Sequence, residues 1–469
     1  MKPCARLLLC LLLLPILAAV FPTAASAVEP PAMISSQTAL VYCVESNSLL
    51  YADGIDREVY PGGLVKLMTA LVAYERAADA GLTLDSKITI SRRVINATVG
   101  NNVPLRYNEQ VRLEDLIGVM ILTGANDAAL AISEAVGGSF EDFIVMMNER
   151  ASDLGMTHTV YRNATGIHHA EMVTTPRDLL TLALYVNHIP YLNELCGSIR
   201  ITMAETNFSE VRYFGTRNYL LSDRVTPYYY LPMATGMICG STIEAGYCAI
   251  ATAQNDGLNF IAVITGAGST QVMVKDSYFY FNEQGDEVFV PATYRTQIDG
   301  LVDAATLLNW ANTNFSYIRA VDRSTPIVEV PIRLAKDVDR ITLLPEKPLE
   351  LFVPKDIDRE KDLTLSWVLD DEELEAPLKA GQRVGVLKVT YEGETIGEVG
   401  LVVRNNIERS SWLTIIYRLK TLISTPFFLV VMGITVFAAG FYIVTMAVSR
   451  QRKKKAARKE YEKKMRLLK

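Results

Sequence analysis

Apolar residues recur along this chain in three rhythms. In Leu64, Leu67, Met68, Leu71 and Val72 they return every three or four positions, the spacing of one buried helical face. The preceding Tyr60-Pro61-Gly62-Gly63 marks where that helix begins. The same rhythm predicts helices over Leu113–Leu122 and Phe140–Leu154, and one opening at Thr175-Pro176. Short apolar runs bounded by turn residues predict strands: Ala39–Val44 paired with Leu49–Ala52, then Ala249–Ala253 and Leu258–Thr265. Polar residues from Ser91 to Gln110 predict a loop region. From about Tyr317 to Val403 the pattern alternates between Pro and Gly breaks, which predicts strands and no helix.

The third rhythm is unbroken apolarity, and it occurs twice. Leu7 to Val20 follows Lys2 and Arg6 and leads to Ala25-Ser26-Ala27, which predicts a secretory signal peptide over residues 1–27. Phe427 to Val448 is long enough to cross a bilayer. Arg450, Arg452, Lys453, Lys454, Lys455, Arg458 and Lys459 follow at once, so the tail is expected on the cytoplasmic side. Trp412–Lys420 mixes apolar and basic residues, as an interfacial segment does.

Charge sharpens this picture. The formal net charge of −6 combines 11 basic and 2 acidic residues from Arg450 onward with +2 in residues 1–27, which leaves −17 on the body between them. So acidic a body argues against nucleic acid as a partner and against anionic surfaces. Cys43, Cys196, Cys239 and Cys248 lie beyond the signal peptide, and neither they nor His158, His168, His169 and His188 show metal-ligand spacing. His168 and His169 fall in a loop, where adjacency alone is weak evidence of function. Cys239 and Cys248 flank the turn Gly240–Gly246 and could pair across two strands; separate buried thiols are the alternative.

Lys66 opposes its own setting. It falls in the first turn of the predicted helix, near the positive end of the helix dipole, where a cation is disfavoured. The stretch Pro61-Gly62-Gly63-Leu64-Val65-Lys66-Leu67-Met68-Thr69-Ala70 resembles the first motif of the D-alanyl-D-alanine carboxypeptidases, the low-molecular-mass penicillin-binding proteins of serine peptidase family S11. Family members read Pro-x-Ser-x-x-Lys there, and the amine three residues on takes the hydroxyl proton. Here the Ser position is Gly63. The second motif, Ser-x-Asn-Asp-Ala, is matched by Gly124-Ala125-Asn126-Asp127-Ala128, with Asn126 kept and the Ser position held by Gly124. Asp153–Leu179 is closely similar to the family, and Thr216–Leu221 matches more loosely. The third motif, Gly-hydrophobic-Lys-Thr-Gly-x-Thr-x-x-Ala-Gly-Tyr-Cys, aligns without a gap on Gly236–Cys248. Its Lys is Ile238 and its Thr is Cys239, followed by Gly240 and Ser241.

The resemblance spans roughly residues 35–403 and implies an α/β penicillin-binding-protein/β-lactamase-like transpeptidase fold, an antiparallel sheet with helices plus a helical subdomain. A small β-rich domain and one C-terminal transmembrane helix follow. The expected boundaries are 28–316 for the carboxypeptidase-like domain with a hairpin inserted at about 270–298, 317–405 for the β-rich domain, 406–425 for a linker, 426–449 for the membrane helix and 450–469 for the tail. No cofactor and no metal are expected, and after the inserted hairpin the resemblance implies a helix over Thr306–Phe315. It also implies an oxyanion hole at the backbone N–H groups of Gly63 and Ser241, with Ile238, Cys239, Gly240 and Ser241 where the substrate carboxylate is held.

Losing a nucleophile alone costs on the order of a millionfold in kcat in a serine protease, and here four positions in three motifs have changed. The expectation is therefore a pseudoenzyme on the outer face of a cell membrane, with one span and a short cytoplasmic tail. It would bind peptidoglycan stem peptide or an envelope protein. A buried Lys66 would then persist through hydrogen bonds to Asn126 and nearby carbonyls. The alternatives are a residual carboxypeptidase with Ser241, Thr242 or Cys239 as nucleophile, and a function confined to the hairpin or the tail.

Overall fold

The computed structural model describes residues 28–467 except 30, 32, 33, 225, 226, 276, 277, 282–286, 291 and 292, so the expected signal peptide lies outside the described residues. Two compact units emerge, residues 1–316 with 352–356, and residues 317–351 with 357–469.

The first unit opens with β1 (Thr38–Cys43) and β2 (Ser48–Asp53) and continues with α1 (Val65–Arg76), β3 (Lys87–Thr89), α2 (Arg92–Ala97) and β4 (Gln110–Arg112). Helices α3 (Leu113–Thr123), α4 (Asn126–Gly137), α5 (Phe140–Asp153), α6 (Pro176–Asn187) and α7 (Pro190–Cys196) follow. Next come β5 (Arg200–Met203), β6 (Arg212–Gly215), β7 (Ala234–Thr242), β8 (Gly246–Asn255) and β9 (Leu258–Ala267). A ribbon made of β10 (Ser269–Lys275), β11 (Tyr278–Phe281), β12 (Glu287–Val290) and β13 (Thr293–Ile298) precedes α8 (Asp299–Asn314).

Five strands form one antiparallel sheet in the order β2-β1-β9-β8-β7. Successive side chains of a strand point to opposite faces, so each strand is sorted between two cores. Leu40 and Tyr42 of β1 and Ile261 and Val263 of β9 pack with Leu67 and Met68 of α1, Leu116 of α3 and Phe143 of α5. Ala39 and Val41 of β1 and Phe260, Ala262 and Ile264 of β9 pack with Leu307 and Leu308 of α8. A sheet buried on both faces explains why these strands read as continuous apolar runs.

Two expectations need correction. The Ser91–Gln110 stretch is not all loop: Ser91 caps α2, accepting from the Val94 N–H at 3.1 Å. Helix α8 begins at Asp299, seven residues before the expected Thr306. The apolar signal was diluted there by Asp299 and Asp303, both of which are buried. Asp303 takes bonds from the Ser35 and Ser36 backbone N–H groups at 3.0 and 2.9 Å.

The second unit contains β14 (Phe315–Val321) from Tyr317 onward, β15 (Val328–Arg333), β16 (Arg340–Pro345), β17 (Leu349–Pro354) as far as Leu351, β18 (Leu363–Leu369), β19 (Leu374–Glu375), β20 (Arg383–Tyr391) and β21 (Glu394–Val403). Six of them form a sheet in the order β18-β20-β21-β16-β15-β19. Two helices follow. α9 (Ser411–Ser424) leaves its apolar side chains exposed, Trp412 and Ile415 among them. α10 (Pro426–Leu467) carries the apolar run and the basic segment in one continuous 42-residue helix and is long and apolar enough to cross a membrane.

Candidate functional site

The loop Pro61-Gly62-Gly63 passes through a single 3₁₀ turn, Gly62–Leu64, directly into α1. Lys66 is therefore carried into the core by the first turn of the helix and is 4% exposed. Its Nζ donates to the Thr165 carbonyl, and Thr69, one turn further on the same face, donates to the Ala164 carbonyl at 2.8 Å. Together they hold the loop Asn163–Gly166. That loop is shaped from within by Asn163 Oδ1, which accepts from the Thr165 N–H at 3.1 Å and the Gly166 N–H at 2.7 Å. Gly166 has φ +79, and a Cβ on it would lie 2.0 Å from the Gly62 carbonyl oxygen, so only glycine fits between loop and turn.

This accounts for a cation at an unfavourable helix end. Burial depresses the Lys66 pKa to about 7, and the positive charge of Arg217 acts in the same direction. The expected bond between Lys66 and Asn126 is not formed. Asn126 Nδ2 donates instead to the Val99 carbonyl at 2.7 Å.

The second motif is a helix–turn–helix junction. Gly124 terminates α3 in the left-handed region, φ +73, with its N–H bonded to the Met120 carbonyl at 2.9 Å. Asn126 opens α4, and its N–H donates to the Asn101 carbonyl at 2.7 Å. Asp127 follows, a residue that motif reasoning passed over. Its buried carboxylate accepts from the backbone of Val103 and Leu105 at 3.1 Å and of Ala128 at 2.9 Å. Burial raises its pKa while those N–H donors oppose the rise. Asp127 and Asn126 thus stitch segment 99–105 to the junction. An acidic residue in a helix first turn was the available signal.

The third motif lies on β7 beside α1. Ile238, opposite Ile250 on β8, is buried in the core shared with α1 and is part of the packing. Gly240 on the same strand face touches Gly63: a Cβ on Gly63 would be 3.0 Å from the Gly240 Cα. Cys239 turns to the opposite face, where its thiol donates to the Arg217 carbonyl at 3.3 Å and is pushed up to about 12 by burial. Cys248 is opposite Gly240, not Cys239, and belongs to the helix-side core, so the two thiols point away from each other. All four described cysteines are free, and no Cys239–Cys248 disulfide forms. Ser241 is exposed, while the Thr242 hydroxyl accepts from the Ala245 N–H at 3.0 Å. Residues 216–218 and 237–239 line a cavity of about 10 Å3, the lower limit for one water.

Acyl transfer needs a nucleophile within hydrogen-bond reach of its base. Lys66 faces a carbonyl, Gly63 offers no side chain, and a thiol pushed to about 12 is neutral at pH 7. Among the described residues, no three His, Cys, Asp or Glu side chains gather where they could hold a metal ion. His168 lies edge-on to the Tyr60 ring with centroids 4.6 Å apart.

Comparison with known proteins bears on the family and the fold. The family model described as D-alanyl-D-alanine carboxypeptidase matches residues 24–269, and that of the penicillin-binding protein 5 C-terminal domain matches residues 315–409. D-alanyl-D-alanine carboxypeptidase DacC of Escherichia coli is 25% identical over 400 residues, 83% of this chain and 89% of that one. DacF of Bacillus subtilis is 21% identical over 374 residues, 80% of this chain and 86% of that one. Two solved structures share the fold: penicillin-binding protein 5 from Haemophilus influenzae and the carboxypeptidase DacD from Francisella tularensis. The first has TM-score 0.55 and 22% identity, covering 82% of this chain and all of that one. The second has TM-score 0.58 and 21% identity, covering 83% of this chain and all of that one.

Proposed function

The chain belongs to the D-alanyl-D-alanine carboxypeptidase family, and from that premise we propose that it is a catalytically silent, membrane-anchored member. It acts on the outer side of the membrane by binding peptidoglycan stem peptide or an envelope protein. One observation carries the reading. At the nucleophile position Gly63 faces the main chain of Gly240, and the retained Lys66 amine is bonded to the Thr165 carbonyl. The signal sequence and the basic segment after the apolar run support an outside body and an inside tail.

The alternative is a residual hydrolase with a substitute nucleophile. Cys239 is disfavoured by its carbonyl bond and raised pKa, and Thr242 by its use as a turn acceptor. Ser241 is the remaining candidate.

Covalent labelling separates the two. The full-length protein in detergent is incubated with a fluorescent penicillin and then denatured. A variant carrying Gly63→Ser, Gly124→Ser, Ile238→Lys and Cys239→Thr is treated alongside. The expected result is no covalent label on the natural protein. A label on it overturns the reading, and mapping its position identifies the nucleophile. A label on the variant alone shows that the scaffold is intact and only the chemistry is gone.

A further inference from the structure

The second unit has an open sheet edge. β18 ends the six-stranded sheet and pairs with β20 in an unbroken antiparallel register, from Leu363 opposite Tyr391 to Leu369 opposite Gly385. A strand with one neighbour directs alternate N–H and C=O groups away from the sheet, where they form a pairing template. Leu363, Leu365, Trp367 and Leu369 share the face on which β20 buries Leu387 and Val389. On β18 that apolar row is uncovered: Leu365 is 42% and Trp367 45% exposed. One added strand would complete the ladder and cover the row.

Edges of this kind are usually guarded within the strand by charge, proline or a bulge. Leu363-Thr364-Leu365-Ser366-Trp367-Val368-Leu369 has no charge, no proline and no register shift. The charge stands at its ends instead. Asp370, Asp371 and Glu372 follow, and among the described residues none of them is in an ion pair; Glu373 pairs with Arg333. Asp358, Arg359, Glu360, Lys361 and Asp362 precede the strand, a mixed run with a net charge of −1 in which Lys361 pairs with Asp358. A second copy added in parallel register would set the two Asp370–Glu372 ends together, which is unfavourable. A segment with one basic end would meet opposite charge beside Asp370–Glu372.

We propose that β18 is a docking edge for an extended segment of another protein, with alternating apolar residues and Lys or Arg at the end that lies beside Asp370–Glu372, bound by strand addition. The edge uses none of the residues around Lys66, so the inference does not depend on whether the family's chemistry is lost.

The probe is the fluorescein-labelled peptide Lys-Lys-Thr-Val-Thr-Val-Thr-Val-Thr-Lys-Lys, titrated by anisotropy against the full-length protein in detergent. Saturable binding is expected. It should weaken about tenfold or more when the lysines become glutamates, when alternate peptide amides are N-methylated, and in the Trp367→Lys protein. The triple variant Asp370→Asn, Asp371→Asn, Glu372→Gln, altered only in exposed polar groups, should show the charge effect if Trp367→Lys misfolds. Absence of saturable binding overturns the proposal, as does equal affinity for the N-methylated or glutamate-ended peptide. A concentration-dependent dimer that the Trp367→Lys change dissociates also overturns it, because the occupant would then be a second copy.

Discussion

Gly63 and Gly240 meet main chain to main chain: a Cβ on Gly240 would lie 2.8 Å from the Gly63 Cα, and one on Gly63 3.0 Å from the Gly240 Cα. The start of α1 and strand β7 therefore approach as closely as two backbones without side chains allow. At this point the turn and the strand meet as a main-chain packing contact.

Gly240→Ala should consequently destabilise the protein by about 1–3 kcal/mol, because the new methyl presses on backbone atoms that cannot rotate away. Gly63→Ser should cost less, since a shift of a few tenths of an ångström relieves it. Urea midpoints of the two variants test the order. Equal midpoints for Gly240→Ala and the natural protein would mean that the turn and the strand separate freely.

Lys66 predicts a pH dependence of stability. Its folded pKa is lowered from 10.5 to about 7, so between those values the unfolded chain binds more protons than the folded one. Stability should therefore rise with pH across that window, by at most on the order of 5 kcal/mol, while below about pH 7 the destabilisation by this residue is fully present and no longer varies with pH. Lys66→Met removes the titration while keeping most of the volume. Melting temperatures at pH 6.5 and 9.5 should differ less in the variant than in the natural protein. An unchanged difference would assign the pH dependence to other groups.

Asp127 should matter more for stability than its place beside a motif suggests. Asp127→Ala deletes the acceptor for the Val103 and Leu105 N–H groups and leaves both donors unpaired. The expected loss is about 2–4 kcal/mol, together with faster hydrogen exchange at those two amides. Protection that survives the substitution would show that segment 99–105 holds itself in place.

Some of this was legible before any coordinates. The 3.6-residue period of Leu64 to Val72, the apolar strands and the membrane-length run follow from local rules, and those elements form, although β8 begins at Gly246, before the expected Ala249, and the last helix continues to Leu467. The gap-free register of Gly236–Cys248 was likewise enough to locate Ile238 and Cys239 on one strand. Other features were set by partners distant in sequence. Lys66 finds its carbonyl at Thr165, Cys239 at Arg217, and Asp127 its donors at Val103 and Leu105. No local pattern encodes those pairings. Strand alternation turned Cys239 and Cys248 to opposite faces, which their spacing across a turn could not reveal. The sequence by itself determined which elements exist and which residues stand at Gly63, Gly124, Ile238 and Cys239, because both depend on residue identity. Only the tertiary structure decided what surrounds those positions, because that depends on which backbones the fold brings together.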